Sequence, residues 1–559
     1  MKDHISRREF MHVSASGVAG MAIGSKALAM GAGSDRKVGR AKGNKKMPNV
    51  LFIISDQHNA KFLSCKGHSD VKTPNLDQLA KEGVRFDNAI CQNPICTPSR
   101  VSYISGQYCH NHGYYGLSGP RPMGLPTIFG HFRQAGYVTG AIGKIHCPAY
   151  WVENDTDHFK EVYAGCSIGN KSAYADYLKK KGLLELRDDG MYPEQKGIQD
   201  WTSKDGRVSS LKYEDSVEGW VAAESIRFMK RESKGNRPFF LEMSLPRPHQ
   251  IYCPSEPFWS MYDESKISLP PNVDHDLTGK PPHMKKAAKW YRSDKWTLFE
   301  PRSYKAGRLR KMHGYLGCVS QIDHAIGQVV DWLDANGLSE NTIVIYGSDH
   351  GDYGCEFGMM EKIPGISSDA VTRIPFIWRW KAHFKAGHVA KEIVEAVDMS
   401  TTLCSLTGVE TFETSEGKDL KPLLEGEHKE LHKIGVTEAP WSKSVRKGKF
   451  RLVRYTENMF SKQEYGDDGY EGAFGELYDL EADPWEMKNL YFDPKYADVV
   501  AEMNNDLLEW LITTTRPATV HPPVRAEGKQ WRTEYDHSVN PDGKISPDKL
   551  RKNKDRYYF

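Results

Sequence analysis

Val50-Leu51-Phe52-Ile53-Ile54, followed by Ser55-Asp56-Gln57, is the stretch from which the fold is predicted. Five consecutive apolar residues without alternation are typical of a strand buried on both faces of a sheet. Thr342-Ile343-Val344-Ile345-Tyr346 repeats this pattern, after a helix whose apolar residues recur on one face from Val319 to Leu333. Strands that alternate with such helices predict an α/β fold.

The pattern changes near residue 425. Two more strands of the first kind are predicted before it, Tyr137 to Ile142 and Phe239 to Met243. After it, residues 450–455 and 476–480 look like antiparallel strands, and an amphipathic helix follows around residues 499–511. The sequence therefore predicts a large α/β domain at residues 47–425 and a smaller α+β domain at residues 426–516.

The bulk composition excludes several classes of protein. The 559 residues are 39% hydrophobic and 27% charged, as in a soluble globular protein, and the net charge of +3 gives no reason to expect nucleic acid binding. The ten cysteines form no C-x-x-C pair, which argues against a zinc ribbon or a thioredoxin-like redox site.

The two ends of the chain differ from the rest. Ser6-Arg7-Arg8-Glu9-Phe10-Met11 is a twin-arginine pattern, and the weakly apolar run after it ends at Ala27-Leu28-Ala29. This predicts an export signal at residues 1–29, read by the twin-arginine translocase, with a disordered N-terminus as the alternative. The run is too short and too rich in glycine for a stable membrane span. We expect a periplasmic or secreted protein, with a linker at residues 30–46 and a polar tail at residues 517–559.

Polar residues follow each of the four predicted α/β strands, where open α/β sheets bind their ligands. Asp56 and Gln57 follow the first strand, and Asp349 and His350 follow the last. Two carboxylates, an amide oxygen and an imidazole suit a divalent cation, and the oxygen donors favour calcium or magnesium. Lys144-Ile145-His146 and Pro248-His249 follow the other two strands. Lys144 and His146 lie two residues apart and share a face in extended chain, so both can address one anion.

The segment Asn93-Pro94-Ile95-Cys96-Thr97-Pro98-Ser99-Arg100 is the most specific in the chain. Thr97 is a good N-cap and Pro98 suits the first position of a helix. Cys96 would then lie at a helix N-terminus, where backbone N–H groups favour anions. Arg100 would lie one turn further on the same face.

Cys96-Thr97-Pro98-Ser99-Arg100 resembles the C-x-P-x-R signature of the type I sulfatases, in the alkaline phosphatase superfamily. The likeness extends from about residue 48 to residue 511. Its other motifs are Gly143-Lys144-Ile145-His146, Pro248-His249, Ser348-Asp349-His350-Gly351 and Lys362. The resemblance implies a large mixed sheet sandwiched by helices, with a smaller C-terminal α+β domain that contains an antiparallel sheet. It also implies a hydrolase of sulfate monoesters.

The resemblance implies that a separate maturation enzyme converts Cys96 to formylglycine, an aldehyde. Position 96 would bind the cation together with Asp56, Gln57, Asp349 and His350. The cation would be Ca²⁺, with Mg²⁺ or another divalent ion as the alternative. Gln57 stands where the family frequently has aspartate, and His350 stands where asparagine is common. A nitrogen ligand suits calcium less well than an oxygen ligand does.

The resemblance also implies roles for the remaining motif residues. Arg100 and Lys144 would hold the hydrated aldehyde, and Asp349 would accept the proton of the nucleophile. His146 would be the base for the second hydroxyl. His249 and Lys362 would contact the sulfate and the leaving oxygen, with His249 as the general acid.

Several alternatives remain open at this point. A phosphonate or phosphate ester hydrolase of the same superfamily is the first, and an inactive protein that binds sulfated glycans is the second. A sulfated glycan is the preferred substrate, with smaller sulfate esters as the alternative. Cys109-His110-Asn111-His112 lines the pocket or is purely structural. A third group either forms a platform for a sugar or packs an insertion: Trp290, Tyr291, Arg292 and Trp296.

Overall fold

Strand β1 (Asn49–Asp56) is the buried strand that the opening stretch predicts, and all eight of its residues are buried. The computed structural model describes residues 47–117, 125–148, 151–162, 172–187, 206–293, 304–363 and 365–516. The predicted export signal, linker and tail, and Trp296, lie outside these residues. The other strands are β2 (Val84–Ile90), β3 (Val138–Gly143), β4 (His158–Glu161), β5 (Phe239–Pro248), β6 (Thr342–Ser348), β7 (Phe376–Arg379), β8 (His388–Glu395), β9 (Gly435–Ala439), β10 (Ser442–Lys447), β11 (Phe450–Tyr455) and β12 (Gly475–Asp479).

The large sheet has eight strands in the order β4-β3-β5-β1-β6-β7-β2-β8. β1 pairs in parallel with β5 on one side and with β6 on the other, with Phe52 opposite Glu242 and Ile345. β7 runs antiparallel to both of its neighbours, so the sheet is mixed. The four strands predicted from apolar runs are β1, β3, β5 and β6, which lie together around the centre of the sheet.

Helices cover both faces of this sheet. They are α1 (Pro74–Glu82), α2 (Cys96–Ser105), α3 (Cys109–His112), α4 (Ile128–Gln134), α5 (Ala173–Lys180), α6 (Val217–Glu232), α7 (Pro282–Tyr291), α8 (Tyr304–Ala335), α9 (Asp369–Thr372), α10 (Asp398–Thr407), α11 (Lys421–Leu424), α12 (Lys462–Tyr465) and α13 (Ala497–Thr514). Phe52 and Ile54 pack in one core with residues of α2, α4 and α10, whereas Leu51 and Ile53 pack in the other with residues of α1, α6 and α8. Successive side chains of a strand point to opposite faces, which explains the continuous apolar run. Each such buried side chain stabilises the fold by about 1.5–3 kcal/mol.

The second sheet is antiparallel and has four strands in the order β12-β11-β10-β9. Leu452 of β11 and Leu477 of β12 lie in one apolar core with Met503, Leu507 and Trp510 of α13. This is the face that the helical periodicity predicts. The expected fold class, a large mixed sheet between helices followed by a smaller α+β region, is confirmed.

A buried cluster of acids and an imidazole joins the two sheets. The ring of His432 lies with Nε2 2.9 Å from Oδ2 of Asp398 and with Nδ1 3.4 Å from Oε2 of Glu395. Glu395 also accepts the backbone N–H of Val436 in β9 at 2.7 Å and the hydroxyl of Tyr108 at 2.5 Å. Burial alone lowers the pKa of His432, but Asp398 and Glu395 outweigh it and raise that pKa to about 9. The ring is therefore charged at neutral pH.

None of the described helices has the length and apolar character that crossing a membrane requires.

Candidate active site

The carboxyl ends of the central parallel strands meet at one edge of the large sheet. β1 ends at Asp56, and Lys144 directly follows β3. His249 follows β5, and Asp349 follows β6. Adjacent parallel strands carry these residues, so one edge brings them together. All four sequence motifs that follow the predicted strands thus contribute to one site.

Helix α2 brings Cys96 to this edge. The helix begins at Cys96, with the extended residue Ile95 as its N-cap, so the predicted N-cap at Thr97 is wrong. The Thr97 hydroxyl instead donates to the carbonyl oxygen of His146 at 3.0 Å. Pro98 was predicted to be the first residue of the helix but is the third. Because the first turn has free N–H groups anyway, proline is accepted there as well.

Cys96 lies among residues that can hold a cation. Its Sγ is 3.6 Å from Oδ1 of Asp56 and 3.2 Å from Nε2 of His350. One ligand atom each from Asp56, Cys96, Asp349 and His350 all lie within 4.8 Å of one another, and all four residues are buried. Metal–oxygen bonds of about 2.3–2.6 Å place neighbouring ligands about 3–4 Å apart. The donor set therefore fits one divalent cation.

The ring of His350 is oriented for this purpose. Nδ1 lies 2.9 Å from the carbonyl oxygen of Gly351, which can only accept, so Nδ1 carries the proton. Nε2 is left with its lone pair directed towards Cys96 and Asp56. Burial lowers the pKa of His350, although Asp349 acts in the opposite direction. The ring is neutral at neutral pH, as a metal ligand must be.

Arg100 connects the two carboxylates of this cluster. Its Nε donates to Oδ2 of Asp349 at 2.8 Å, and its Nη2 lies 3.4 Å from Oδ2 of Asp56. Its Nη1 donates to the carbonyl oxygen of Lys144 at 2.6 Å and to Oγ of Ser244 at 2.9 Å. Arg100 is 1% exposed. Removing one partner from such a buried pair costs about 3–5 kcal/mol, so Arg100 is structurally essential here as well as placed beside Cys96.

Lys144 and Asp56 form the shortest ion pair of the site. Lys144 Nζ lies 2.6 Å from Oδ2 of Asp56. Burial would raise the pKa of Asp56, but the cationic Lys144 and Arg100 hold it well below its usual range. Asp56 is therefore ionised at neutral pH.

A glycine permits this approach of Lys144. Gly143 has φ +117°, and a Cβ at this position would lie 1.8 Å from the carbonyl oxygen of Ser244. The same carbonyl accepts the N–H of Lys144 at 3.0 Å. Only glycine fits so close to the neighbouring strand.

Gln57 has its amide oriented by neighbours on both sides. Its backbone N–H donates to Oδ1 of Asp349 at 3.0 Å. Its Oε1 accepts from Lys362 at 2.8 Å, and its Nε2 donates to Oδ2 of Asp352 at 2.6 Å and to Oε1 of Gln250 at 3.2 Å. The oxygen of the amide therefore faces Lys362.

His249 and Lys362 are in direct contact. Lys362 Nζ lies 2.6 Å from Nε2 of His249. Burial lowers the pKa of His249, and Lys362 and Lys144 lower it further, well below its ordinary value. His146 is half-buried, and burial and then Lys144 hold its pKa well below the usual range. Together with His350, the site thus contains three neutral imidazoles beside two lysines.

Burial keeps the Cys96 thiol protonated. It raises the pKa of the thiol to about 12, and Asp56 acts in the same direction. A thiol with such a pKa is a poor nucleophile at neutral pH.

The two weaker sequence candidates have structural roles. Cys109 and His112 are buried, and His112 Nε2 pairs with the Ser102 hydroxyl at 2.9 Å. Asn111 donates to the carbonyl oxygen of Thr514 in α13, so the segment ties α3 to the smaller region. These contacts favour a structural role for residues 109–112 over a role in lining the pocket.

The proposed sugar platform is not formed by its described members. Tyr291 is buried in an apolar cluster that Trp290 packs against. Arg292 donates to the backbone carbonyl oxygen of Phe357 at 2.9 Å. The platform interpretation is therefore wrong for Tyr291 and Arg292, because both are used to pack the insertion.

Three residues that hold the site together were not predicted from the sequence. Ser244 donates to the Lys144 carbonyl oxygen at 2.5 Å, while Asp352 and Gln250 orient Gln57. Ser244 directly follows the predicted strand 239–243, Gln250 follows His249, and Asp352 lies three residues after Asp349. Their positions at strand ends were the only signal available.

Two family models match the chain. The sulfatase model matches residues 48–409. The model of the C-terminal region of N-sulphoglucosamine sulphohydrolase matches residues 356–512. The first match covers more than half of the chain and contains every residue of the site.

Known proteins resemble the chain over most of its length. An N-acetylglucosamine-6-O-sulfatase from Bacteroides thetaiotaomicron is 25% identical over 525 residues, which covers 83% of this chain and 86% of that protein. Another protein has been solved in complex with its substrate, D-glucosamine-2-N,6-O-disulfate. Its structure matches this one with a TM-score of 0.66 at 22% identity, and the match covers 84% of this chain and 98% of that protein's chain. The phosphonate monoester hydrolase of Agrobacterium radiobacter has a TM-score of 0.67 at 20% identity and covers 86% and 99%. At such identities the two structures show the shared fold.

Proposed function

The chain belongs to the sulfatase family of the alkaline phosphatase superfamily and is a sulfatase, and from this premise we propose that it removes sulfate from a sulfated sugar. The proposed nucleophile is a formylglycine made from Cys96, and the proposed cation is calcium. The observation that carries the proposal is the convergence of Cys96, a set of cation ligands and several cationic side chains at one edge of the sheet.

Asp56, Gln57, Asp349 and His350 are the proposed cation ligands, together with position 96. A divalent cation bound there neutralises sulfate oxygens and makes a nearby hydroxyl more acidic. The aldehyde, once hydrated, supplies that hydroxyl at the position that Sγ of Cys96 marks. Asp349 is the proposed acceptor of its proton, and Arg100 holds Asp349 in place at 2.8 Å.

The remaining residues fit a sulfate monoester. Lys144 directly follows β3, Lys362 lies in the loop between β6 and β7, and both provide positive charge for the anion. The ammonium of Lys362 donates to Nε2 of His249, and we assign these two side chains together to protonation of the leaving oxygen. His146 is the proposed base for the second hydroxyl of the hydrate, because its ring is neutral beside Lys144.

Two similar proteins support the proposal that the substrate is a sulfated sugar. The matched N-acetylglucosamine-6-O-sulfatase and the structure solved with a disulfated glucosamine both concern sulfated sugars. Export through the twin-arginine translocase to the periplasm or beyond, which Arg7 and Arg8 suggest, fits an enzyme that meets such polymers outside the cell. The maturation enzyme that converts Cys96 is the second proposed partner.

The alternative reaction is hydrolysis of a phosphonate or phosphate ester. The specific observation in its favour is the fold shared with the phosphonate monoester hydrolase. A doubly charged phosphate ester calls for more positive charge than a singly charged sulfate ester does. Parallel assays of the same preparation on an aryl sulfate and on an aryl phosphonate separate the two reactions.

The decisive experiment combines mass spectrometry with activity. Protein from its native host, or from a host with a formylglycine-generating enzyme, is digested, and the peptide with residue 96 is weighed. We expect the mass of an aldehyde in place of the thiol, and release of sulfate from 6-O-sulfated glucosamine by this protein but not by Cys96→Ala. Unmodified cysteine in native protein, with no release of sulfate, would favour an inactive glycan-binding protein instead.

A further inference from the structure

We propose that Asp352 is a positioning residue that orients the amide of Gln57 and supplies, beside the cation site, the negative charge that this amide lacks. The inference rests on the proposed cation site and assigns a role to a residue outside the ligand set.

The contacts of Gln57 allow only one orientation of its amide. Nε2 faces two acceptors, Oδ2 of Asp352 at 2.6 Å and Oε1 of Gln250 at 3.2 Å. Oε1 faces a donor, Nζ of Lys362, at 2.8 Å. A rotated amide would place its oxygen against the Asp352 carboxylate and its N–H groups against an ammonium. Asp352 therefore fixes the orientation of the amide, with Nε2 facing its own carboxylate and Oε1 facing Lys362.

Asp352 is itself rigidly held. It is fully buried, and its Oδ1 accepts the backbone N–H groups of Gly354 at 2.7 Å and Glu361 at 3.0 Å. Its Oδ2 accepts the hydroxyl of Tyr252 at 3.1 Å in addition to the amide of Gln57. A carboxylate with this many donors has a fixed position, and it transmits that position to the side chain it binds.

The charges in contact with the proposed ligands show why a carboxylate is useful here. Arg100, Lys144 and Lys362 are three cations that contact Asp56, Asp349 or Gln57. Among the ligands themselves, Asp56 and Asp349 are the two carboxylates. Asp352 provides a third carboxylate one hydrogen bond away, and an amide N–H bound to a carboxylate has a more negative oxygen at its other end. Both effects favour a cation.

The test exchanges the charge between the two positions. Asp352→Asn removes the negative charge. The double variant Gln57→Glu with Asp352→Asn restores this charge at position 57, on the proposed ligand. The new amide at position 352 would then donate to the new carboxylate at position 57. Chelator-treated protein is titrated with CaCl₂ by calorimetry. We expect D352N to bind calcium about 10–100-fold more weakly than the wild-type chain, and the double variant to recover to within about threefold.

A matched control is Asp323→Asn. Asp323 is a buried carboxylate that accepts the backbone N–H of Leu76 at 2.8 Å, away from the proposed ligands. D323N should lower the melting temperature and leave calcium affinity unchanged. If D352N does not fold while the double variant folds and binds calcium, the exchange is supported by that recovery.

Three outcomes would overturn the inference. D352N that binds calcium as tightly as the wild-type chain would show that Asp352 does not serve the cation, while the cation site itself would stand. A double variant that is as weak as D352N, or that also fails to fold, would show that the two positions are not coupled. Wild-type protein that binds no calcium would remove both the cation site and this inference, whereas calcium binding without sulfatase activity would touch only the proposed reaction.

Discussion

The ammonium group of Lys362 lies 2.6 Å from Nε2 of His249, and Nδ1 of the same ring lies 2.8 Å from the carbonyl oxygen of Gln250. A carbonyl oxygen only accepts, so the ring proton is on Nδ1, and Nε2 accepts from Lys362. The proton between the two side chains therefore belongs to the lysine, and we expect His249 to act together with it. The general acid assigned to His249 from sequence is better described as a pair.

His249→Ala should therefore affect substrates according to their leaving groups. A sugar alkoxide needs a proton as it leaves, whereas 4-nitrophenolate leaves without one. We expect kcat/KM to fall about 10²–10⁴-fold on a 6-O-sulfated sugar and less than about tenfold on 4-nitrophenyl sulfate. His324→Ala, which changes a histidine that packs edge-to-face against Tyr213, is the control. Equal losses on both substrates would mean that His249 only shapes the pocket.

Removal of the cation should destabilise the protein and stop the reaction. Without it, the carboxylates of Asp56 and Asp349 lose their strongest counter-charge and keep their basic partners and, for Asp349, two backbone N–H groups. A cation present at about 100 times its dissociation constant stabilises the folded state by about 2.7 kcal/mol. We expect EDTA to lower the melting temperature by a few degrees and to abolish sulfate release, and excess CaCl₂ to restore both. An unchanged melting temperature and activity after exhaustive chelation would contradict this.

Gly143→Ala should displace Lys144. The new Cβ would meet the backbone oxygen of Ser244 at 1.8 Å, and a backbone atom cannot move aside as a flexible side chain can. We expect a loss of about 3 kcal/mol or more in the free energy of unfolding, measured with urea, and a loss of activity.

Gly182→Ala is the matched control for this substitution. Gly182 also has positive φ, +70°, but nothing lies within 4 Å of a Cβ there. Its cost should stay at about 1–2 kcal/mol, the conformational term alone. Similar costs at both glycines would show that the close approach to Ser244 is unimportant.

His432→Gln should destabilise the protein in a pH-dependent way. Burial lowers the folded-state pKa of His432, but Asp398 and Glu395 outweigh burial and raise this pKa from 6.5 to about 9. The charged ring of His432 therefore stabilises the folded state fully below about pH 6.5, and this stabilisation is lost as the pH rises through about 9. The difference in unfolding free energy between wild type and variant should be about 3 kcal/mol at about pH 6 and much smaller at about pH 9.5. A difference that does not change with pH would contradict the charged ring.

The strands that could be predicted from the sequence are those made of continuous apolar residues. β1 and β6 were found because strands buried on both faces need uninterrupted apolar residues. β2 and β8 were missed because they carry polar and half-buried residues, with burial patterns that resemble neither an alternating nor a continuous strand. β7 has four residues, too few for a period to be visible. Its antiparallel direction is decided by long-range pairing with Val344 and Gly347, which no local pattern contains.

The same distinction applies to the site. The spacing of motifs after strand ends predicted which residues converge, because parallel strands place their carboxyl ends at one edge. The hydrogen bonds of Arg100 to Asp349 and of Gln57 to Asp352 join residues 249 and 295 positions apart. Their geometry depends on the packing of whole elements. Thr97 illustrates the reverse case: a residue with strong local preference for an N-cap is used instead by a distant carbonyl group.

The depth of Cys96 has a consequence for the order of events in the life of the protein. Its side chain is 1% exposed and is enclosed by Asp56, Arg100 and His350. A second enzyme cannot bind this segment once α2 has docked against the sheet. The proposed oxidation of the thiol therefore has to precede folding, on a newly made and still open chain, and the proposed export of the folded protein would come last. Chains that fold too quickly would stay in an inert form, so the rate of folding sets the fraction of molecules that ever become active.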